Sequence, residues 1–289
     1  MNPSRPVPDP VSTIHPVAPS EHRAGFVAII GQPNVGKSTL LNQILGEKLA
    51  IVSPKPQTTR VRLLGVKHLP DAQLALVDTP GLHRPSEHRQ TLLNRYMVEE
   101  ARAAASDVDA LLLVVDVSAA VGQANRGKSS EEPAPPPRID ATDRFIVEQL
   151  AALRKPLILA LNKVDLCRDK LRLLPYIEQW NALREFVAIV PISALTGRGI
   201  ELLVDELRRA LPPGPPLFPD DTLTDSSERT LVAERIREQL CLQTKKELPY
   251  ASAVTVDGWE ERKGTHGAKA GERLAVVIHA TIHVEKPNQ

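Results

Sequence analysis

The sequence has few of the features that mark secreted or membrane proteins. It contains only two cysteines, Cys167 and Cys241, and both lie in stretches with periodic apolar residues. We therefore expect buried, reduced thiols rather than a disulfide. No apolar run approaches the roughly 20 residues that a membrane-spanning helix needs, and the N-terminus lacks the apolar segment of a secretory signal. These absences predict a soluble, cytoplasmic protein.

The chain also lacks an excess of charge of either sign. Its 36 Lys and Arg residues nearly balance its 35 Asp and Glu residues, and the formal net charge is +1 over 289 residues. Composition therefore excludes a global basic field that would attract nucleic acid or an anionic membrane, and any RNA contact must come from a local patch. The length suits two modest domains or one large one.

Three segments are rich in proline, and the first two also have little large apolar material. Residues 1–24 predict a disordered N-terminal tail, with a transit peptide as the alternative. Residues 122–138 predict a flexible surface insertion, which is either merely tolerated or regulatory. Residues 212–224 have too much proline for a helix or a strand and predict a stiff linker.

Short apolar runs alternate with helical patterns between residues 25 and 211. The predicted strands lie at 26–30, 74–77, 110–117, 157–161 and 186–192, and the predicted helices at 38–45 and 92–104. Continuous apolar runs of this length are typical of buried parallel strands. The alternation therefore predicts an α/β fold with a doubly wound sheet.

The region after the linker, residues 225–289, has a different pattern. Residues 229–244 have apolar residues at helical spacing, and residues 251–256 and 274–284 resemble strands. A Gly- and Lys-rich stretch at 262–271 separates the two strands and is typical of a hairpin loop. The region therefore predicts a second, small α+β unit.

A phosphate-binding pattern, Gly31-x4-Gly36-Lys37-Ser38, lies between the first predicted strand and the first predicted helix. Its glycines let the loop wrap phosphates, and its backbone N–H groups and the helix N-terminus face the anion. Lys37 adds a positive charge at the β- and γ-phosphates, and Ser38 offers a hydroxyl to Mg²⁺. The pattern predicts a nucleoside triphosphate site but leaves ATP and GTP equally open.

A second motif, Asp78-Thr79-Pro80-Gly81, ends the predicted strand at 74–77. An acid here can hold Mg²⁺, usually through water, and the N–H of Gly81 can reach the γ-phosphate and so detect its hydrolysis. These residue types also favour turns in any protein, but the place after a phosphate-binding loop and at a strand end favours the nucleotide role.

The loop between these motifs contains Thr58 and Thr59. Their hydroxyls could complete the Mg²⁺ shell when a γ-phosphate is present, and an ordinary pair of loop residues is the alternative. The predicted metal ligands are therefore Ser38, Thr58, Thr59 and Asp78.

The motif Asn162-Lys163-Val164-Asp165 follows the predicted strand at 157–161 and is predicted to select the base of the nucleotide. The Asp165 carboxylate can accept from both N1–H and the N2 amino group of guanine, a pair that adenine does not offer. Two charge-assisted hydrogen bonds are worth about 3–6 kcal/mol, and a wrong base would leave the carboxylate unpaired. The motif therefore favours GTP over ATP.

The next strand is followed by residues 193–195, whose backbone can close the pocket over guanine O6. The complete set of predicted nucleotide-binding residues is Gly31, Gln32, Pro33, Asn34, Val35, Gly36, Lys37, Ser38, Thr39, Asp78, Thr79, Pro80, Gly81, Asn162, Lys163, Asp165, Ser193, Ala194 and Leu195.

These segments together resemble the Era family of bacterial GTPases. The resemblance covers residues 25–286 apart from two insertions and runs through GQPNVGKSTLLN (31–42), SPKPQTTR (53–60), DTPGLHRPSEHRQTLLNRYM (78–97), NKVD (162–165), PISAL (191–195) and KKELPYASAVTV (245–256). It implies a Ras-like G domain with the P-loop NTPase fold, a type II KH-type domain, and GTP hydrolysis as a switch in 30S subunit assembly and 16S rRNA maturation. It also implies a monomer with a peripheral association with the cytoplasmic face of the membrane.

The resemblance also bears on the mechanism of hydrolysis. Relatives lack the glutamine that positions water in Ras-like enzymes, and in this chain Leu82 follows the second motif. Catalysis should then depend on Lys37, Gly81, Mg²⁺ and other groups. In similar GTPases a P-loop asparagine helps to bind K⁺, which supplies positive charge to the transition state. Asn34 matches that position, with Thr58 in the loop that would close over it, so we expect K⁺ to stimulate turnover.

Family members continue past the strand that matches ATIHVEK (280–286) into a Gly-x-x-Gly loop that clamps the nucleic-acid backbone. The sequence ends at Gln289, before that loop, and residues 225–289 hold ten Lys and Arg against ten Asp and Glu. We therefore expect an incomplete KH-like domain that binds rRNA weakly or not at all.

Three interpretations of the whole sequence remain at this point. The first is a GTPase switch, and the second is a guanine-nucleotide sensor with negligible turnover and impaired RNA binding. The third is an ATP-using P-loop enzyme, against which the NKVD motif argues.

Overall fold

The computed structural model describes residues 22–53, 55, 59–60, 62–82, 99, 103–121, 137–244, 252–263 and 274–284. The predicted tail (except residues 22–24), most of the helix at 92–104 and most of the insertion at 122–138 lie outside these residues.

The described residues of the first part of the chain include six strands and five helices with defined bounds. They are β1 (Arg23–Ile30), α1 (Lys37–Leu45), β2 (Leu63–Leu69), β3 (Ala72–Asp78), β4 (Ala110–Asp116), the short α2 (Ser118–Val121), α3 (Ala141–Ala151), β5 (Leu157–Asn162), α4 (Leu173–Leu183), β6 (Ala188–Pro191) and α5 (Ile200–Ala210). The strand order is β2-β3-β1-β4-β5-β6. β2 runs antiparallel to β3, and the other neighbours pair in parallel.

Helices cover both faces of this sheet, which is why its central strands are almost continuously apolar. One face packs against α1 and α5, through residues such as Leu40 and Leu207. The other face packs against α3 and α4, where Ile146 and Trp180 are fully buried. The doubly wound α/β sheet predicted from the sequence is therefore confirmed.

Two features of the sheet differ from the sequence prediction. β1 begins at Arg23 rather than at residue 26, because residues from Arg23 onward already pair with β3 from Ala72 onward. β2 was not predicted at all, since its apolar pattern is interrupted by Gly65 and two polar residues. A Cβ at Gly65 would lie 2.6 Å from a methyl group of Leu45, so glycine here lets α1 pack closely on the strand.

The segment 212–224 contains no helix or strand, as predicted, but it is bound to the sheet. The buried side chain of Gln73 accepts from the N–H groups of Leu217 at 2.7 Å and Phe218 at 2.9 Å, and donates to the Phe218 carbonyl at 2.8 Å. The N–H of Val66 donates to the carbonyl of Leu223 at 2.8 Å. The segment therefore follows the β2–β3 edge of the sheet instead of acting as a free spacer.

The second part of the chain is the predicted α+β unit. It consists of α6 (Glu228–Gln243), β7 (Ser252–Lys263) and β8 (Leu274–Val284). β7 and β8 pair antiparallel from Ser252 opposite Val284 to Lys263 opposite Leu274. β7 is longer than the predicted strand, and most of the predicted hairpin loop lies outside the described residues.

Both cysteines are buried and neither forms a disulfide, in agreement with the prediction from their sequence context. Within the described part of the chain, no helix has the length and apolar character that crossing a membrane requires.

Replacement of Gln73 by alanine should destabilise the protein, because the N–H groups of Leu217 and Phe218 lose their acceptor. We expect a loss of about 2–4 kcal/mol in the free energy of unfolding, measured by urea denaturation, and faster proteolytic cleavage within 212–224. The exposed Glu148 on α3 provides a control, Glu148→Ala, which should change neither quantity. Unchanged stability and cleavage in the Gln73 variant would contradict the role given to this side chain.

Candidate functional site

The loop between β1 and α1 approaches its neighbours so closely that two of its positions require glycine. A Cβ on Gly31 would lie 2.3 Å from the carbonyl oxygen of Val114. A Cβ on Gly36, whose φ is 102°, would lie 2.4 Å from Nδ2 of Asn162. The glycines thus let the loop close over β4 and β5.

Lys37 is buried at the base of this loop. Its Nζ donates to the carbonyl oxygens of Gly31 at 3.1 Å and Gln32 at 2.8 Å. Burial lowers the pKa of Lys37 to about 8, and the nearby charge of Asp78 partly opposes that shift. An anion in the loop would restore the charged form of the ammonium group.

Two hydroxyl groups converge on the carboxylate of Asp78. Ser38 Oγ donates to Asp78 Oδ2 at 2.6 Å, and Thr59 Oγ1 lies 2.9 Å from Ser38 Oγ and 3.3 Å from Asp78 Oδ2. Burial raises the pKa of Asp78, while Lys37 and the two hydroxyls act in the opposite direction. Thr59, one of the predicted metal ligands, therefore lies beside two others, Ser38 and Asp78. Thr58 lies outside the described residues.

These oxygen atoms fit Mg²⁺, which prefers hard oxygen ligands and keeps positions for water and phosphate. The other carboxylate oxygen of Asp78, Oδ1, is buried and has no hydrogen-bond partner. Leaving a buried charged oxygen unpaired is costly. A cation or its water shell at this position would remove that cost.

The residues after Asp78 are hydrogen-bonded to β1 and to the phosphate-binding loop. Thr79 Oγ1 donates to the Ile29 carbonyl at 2.8 Å, and the N–H of Leu82 donates to the Gly31 carbonyl at 3.0 Å. A Cβ on Gly81 would lie 2.7 Å from Pro33. Leu82 packs into the core beside β1 and β4, so its side chain cannot orient water.

Asn162 joins the phosphate-binding loop to the loop after β6. Its side chain is buried, with Nδ2 donating to the Val35 carbonyl at 2.7 Å and Oδ1 accepting from the Ala194 N–H at 2.9 Å. Both ends of the amide are therefore used within the protein. Asn162 holds the site together rather than offering its side chain to the base.

Lys163 also braces the phosphate-binding loop. Its Nζ donates to the carbonyl of Asn34 at 2.8 Å and forms an ion pair with Asp116 at 2.6 Å. Asp165, the acidic residue of the NKVD motif, lines the same cavity.

The backbone N–H groups of the loop at 193–195 differ in their hydrogen bonds. The N–H of Ser193 donates to the Arg198 carbonyl at 2.9 Å, and the N–H of Ala194 donates to Asn162. Leu195 lines the cavity with an exposed side chain. The N–H of Leu195 is thus the best placed of the three for guanine O6.

A cavity of about 440 Å³ collects most of the predicted nucleotide-binding residues, and its volume is that of a small-molecule site. Its lining consists of Pro33, Asn34, Gly36, Lys37, Ser38, Thr39, Ile51, Val52, Ser53, Thr59, Gly81, Asn162, Lys163, Asp165, Leu166, Ala194 and Leu195. The predicted residues that do not line it are Gly31, Gln32, Val35, Asp78, Thr79, Pro80 and Ser193. Ile51, Val52, Ser53 and Leu166 were missed, because no recognised motif marks them.

The side chain of Gln32 turns away from this cavity. Its Nε2 donates to Asp140 Oδ1 at 3.0 Å, at the N-cap of α3. Asp143, one turn further on, is also buried there, and burial raises its pKa to about 6. The side chain of Gln32 therefore anchors the phosphate-binding loop to α3.

The fold, the loop glycines, the Asp78 cluster and the NKVD motif together define a P-loop GTPase. A family model described as "50S ribosome-binding GTPase" matches residues 26–163. The GTPase Era of Syntrophus aciditrophicus is 48% identical over 267 residues, covering 92% of this chain and 77% of the relative. The GTPase Era of Geobacter metallireducens is 44% identical, covering 92% and 79%. The chain therefore belongs to the Era family of GTPases.

Solved structures agree with this assignment. A crystal structure of Era in complex with MgGDPNP and nucleotides 1506–1542 of 16S ribosomal RNA has a TM-score of 0.77 and 36% identity, covering 92% of this chain and 80% of the other. A variant of Aquifex aeolicus Era bound to GDP and AlF₄⁻ has a TM-score of 0.76 and 35% identity, with the same coverage. The chain is a GTP-hydrolysing enzyme, and the interpretation as a sensor without turnover is not favoured.

GDP binding should be accompanied by proton uptake at pH 8.5. The pKa of Lys37 is about 8 in the nucleotide-free protein, so the group is largely neutral at this pH, and a neighbouring phosphate raises the pKa by favouring the charged form. Calorimetry in two buffers of different ionisation enthalpy measures the uptake. The uptake should be smaller at pH 7.5, and equal values at the two pH values would rule out Lys37 as its source.

Proposed function

We propose that the chain is a GTP-driven switch in assembly of the small ribosomal subunit, with the cavity between the phosphate-binding loop and the NKVD motif as its active site. The observation that carries the proposal is the cluster of Ser38, Thr59 and Asp78 beside the buried Lys37. Through Thr59, this cluster connects a metal-binding position to the loop around that residue. Loss of the γ-phosphate can therefore change the conformation of the loop.

The residues around the phosphates have distinct roles in this proposal. The loop amides and Lys37 bind the phosphate chain, and Lys37 stabilises the negative charge that develops during phosphoryl transfer. Ser38, Thr59 and Asp78 would hold Mg²⁺, which would supply positive charge that neutralises the phosphate chain. Gly81 offers its N–H to the γ-phosphate. Because Leu82 lies in the core, water must be oriented without a glutamine at that position.

Selection of guanine is assigned to Asp165 and to the N–H of Leu195. The Asp165 carboxylate accepts from N1–H and the N2 amino group, and the Leu195 amide donates to O6. Asn162 and Lys163 keep these two groups in place through their bonds to the Val35 and Asn34 carbonyls.

Replacement of Asp165 by asparagine should change the base preference from guanine to xanthine. The amide can donate to the C2 oxygen of xanthine, whereas it places a donor against the amino group of guanine. We expect GDP affinity to fall by about 10²- to 10³-fold and XDP affinity to rise, measured by equilibrium titration. The exposed Asp169 offers a matched control, Asp169→Asn, for which both affinities should be unchanged. An Asp165→Asn variant that still prefers GDP would remove Asp165 from the base site.

Potassium should accelerate GTP hydrolysis through Asn34. This residue lines the cavity at the phosphate-binding loop, where a monovalent cation would add positive charge to the transition state. Turnover in KCl should exceed turnover in NaCl at equal ionic strength, by about tenfold if the cation supplies one charge-assisted contact. In Asn34→Ala the two salts should give the same rate. Equal rates in the parent chain would exclude the K⁺ mechanism.

The remaining parts of the proposal concern organisation and partners. We assign residues 25–211 to a G domain, 212–224 to a linker that lies on it, and 225–289 to the KH-type unit. Support for 16S rRNA and the 30S subunit as partners comes from the related Era structure solved with 16S rRNA nucleotides. Weak rRNA binding, a cytoplasmic location, a monomeric state and a peripheral membrane association stay predictions.

The test of the proposed function is single-turnover hydrolysis of GTP with Mg²⁺ and K⁺, combined with sedimentation on 30S subunits. Hydrolysis should be lost in Lys37→Ala, and association with subunits should differ between a non-hydrolysable GTP analogue and GDP. Association that is identical with both nucleotides would show an enzyme that is not a switch on this partner.

A further inference from the structure

We propose that Glu238 of α6 is a positioning residue for the nucleotide site: it holds the cavity wall formed by residues 51–53, so that displacement of α6 speeds nucleotide release. The inference rests on the proposed function only in placing a guanine nucleotide in the 440 Å³ cavity. It adds a residue outside the nucleotide-binding motifs, far along the chain from the phosphate-binding loop.

The carboxylate of Glu238 is almost fully buried, with 1% of its side chain exposed. Oε1 accepts from the N–H of Val52 at 2.9 Å, and Oε2 accepts from Lys48 Nζ at 2.8 Å and from Arg235 Nη1 at 3.3 Å. Burial by itself would raise the pKa of Glu238, but these donors outweigh burial and hold the pKa below its usual range. The group is therefore a buried anion whose partners lie mainly on another element.

One of these partners, Val52, belongs to the nucleotide cavity. Val52 lines the cavity between Ile51 and Ser53, and Thr59 lines it further along the same loop. Val52 therefore lines the cavity and also contacts α6, because its backbone N–H donates to Glu238.

Additional contacts bind the same loop to the second unit. Lys55 Nζ donates to the carbonyls of Cys241 and Thr244. Arg235 donates to the carbonyl of Lys48. Arg60 Nη1 donates to the Ser252 carbonyl at 2.9 Å, at the start of β7. Lys55 and Arg60 thus contact the second unit, whereas Thr59 contacts the metal-binding cluster.

Burial makes the position of the wall and the position of α6 mutually dependent. If the wall moves, the buried carboxylate of Glu238 loses the Lys48 and Val52 donors and keeps only Arg235, which is unfavourable. If α6 moves, the wall loses the acceptor that fixes the Val52 amide. Because binding linkage is reciprocal, a bound nucleotide stabilises the docked position of α6, and a partner that pulls α6 away weakens nucleotide binding.

The central experiment is the dissociation rate of a fluorescent GDP from Glu238→Ala and from the parent chain. We expect dissociation about tenfold faster in the variant, within the usual range of coupling between sites. The hydrolysis rate at saturating GTP should stay within about twofold, because Lys37, Ser38 and Asp78 are untouched. Glu238→Gln, which keeps the shape and one acceptor for Val52, should fall between the two.

The matched control is Glu228→Ala, at the start of the same helix. Glu228 is exposed and does not line the cavity, so its loss should leave GDP dissociation unchanged. Equal acceleration in both variants would mean that any weakening of α6 loosens the site, and it would overturn the assignment to Glu238.

A double-mutant cycle with Lys48 separates positioning from general stability. Lys48→Met removes only the ion pair and should accelerate GDP release less than Glu238→Ala. In the Glu238→Ala background it should have no further effect, since the shared partner is already absent. Fully additive effects would contradict the proposal.

Hydrogen exchange provides a measurement that needs no variant. GDP should slow amide exchange in residues 235–244 of the parent chain, although these residues do not line the cavity. Exchange unchanged by GDP in this segment would overturn the inference, as would a folded Glu238→Gln or Glu238→Ala protein that releases GDP at the parent rate. A parent chain that binds no GDP would instead overturn the proposed function.

Discussion

The buried amide of Asn162 connects the two halves of the nucleotide site. One end donates to the carbonyl of Val35 in the phosphate-binding loop, and the other accepts from the N–H of Ala194 in the loop after β6. A buried amide with both ends satisfied stabilises one arrangement of its neighbours and penalises others. Asn162 therefore sets the distance between the groups that bind phosphate and those that select the base, and Gly36 must be glycine because this amide lies against it.

A second constraint is the burial of opposite charges around the metal-binding cluster. Burial shifts the pKa of Lys37 downward and the pKa of Asp78 upward, so each group is disfavoured in its charged form. Their mutual attraction offsets only part of this cost. A phosphate chain with Mg²⁺ supplies the missing partner for each charge, which gives a physical reason for the two ligands to bind together. For the same reason, the site without a phosphate chain and Mg²⁺ is less favourable than the site with both bound.

The parts of this arrangement that were predictable from sequence are those encoded locally. Apolar runs of strand length predicted β1 and β3 to β6, and the motifs at their ends predicted the residues that meet in the cavity, because carboxyl ends of parallel strands share one edge of a sheet. The chemical roles of Asp165 and Lys37 followed from the motifs that contain them. By contrast, β2 carries an interrupted pattern that becomes a strand only through pairing with β3.

The features that escaped prediction depend on single side chains that act over long sequence distances. Nothing in residues 212–224 indicates that Gln73 will bind them, and nothing in residues 51–53 indicates a carboxylate on α6. Periodicity marks the apolar face of a helix, yet α6 carries buried polar groups such as Glu238 and Arg237, which periodicity treats as surface. Sequence motifs therefore indicated most of the residues that line the cavity and missed these long-range contacts.

Both of these unpredicted contacts join the G domain to the chain that follows it. The segment bound by Gln73 fixes where the second unit begins, and Glu238 fixes one side of α6 against the cavity wall. The first contact uses neutral amides, whose hydrogen bonds are individually modest, whereas the second uses a buried carboxylate, whose cost when unpaired is much larger. A conformational change that keeps the linker in place while releasing α6 would thus concentrate its energetic cost at Glu238. Glu238 accepts from the backbone amide of Val52, and Val52 lines the cavity, so movement of the second unit and occupancy of the cavity are linked through this hydrogen bond.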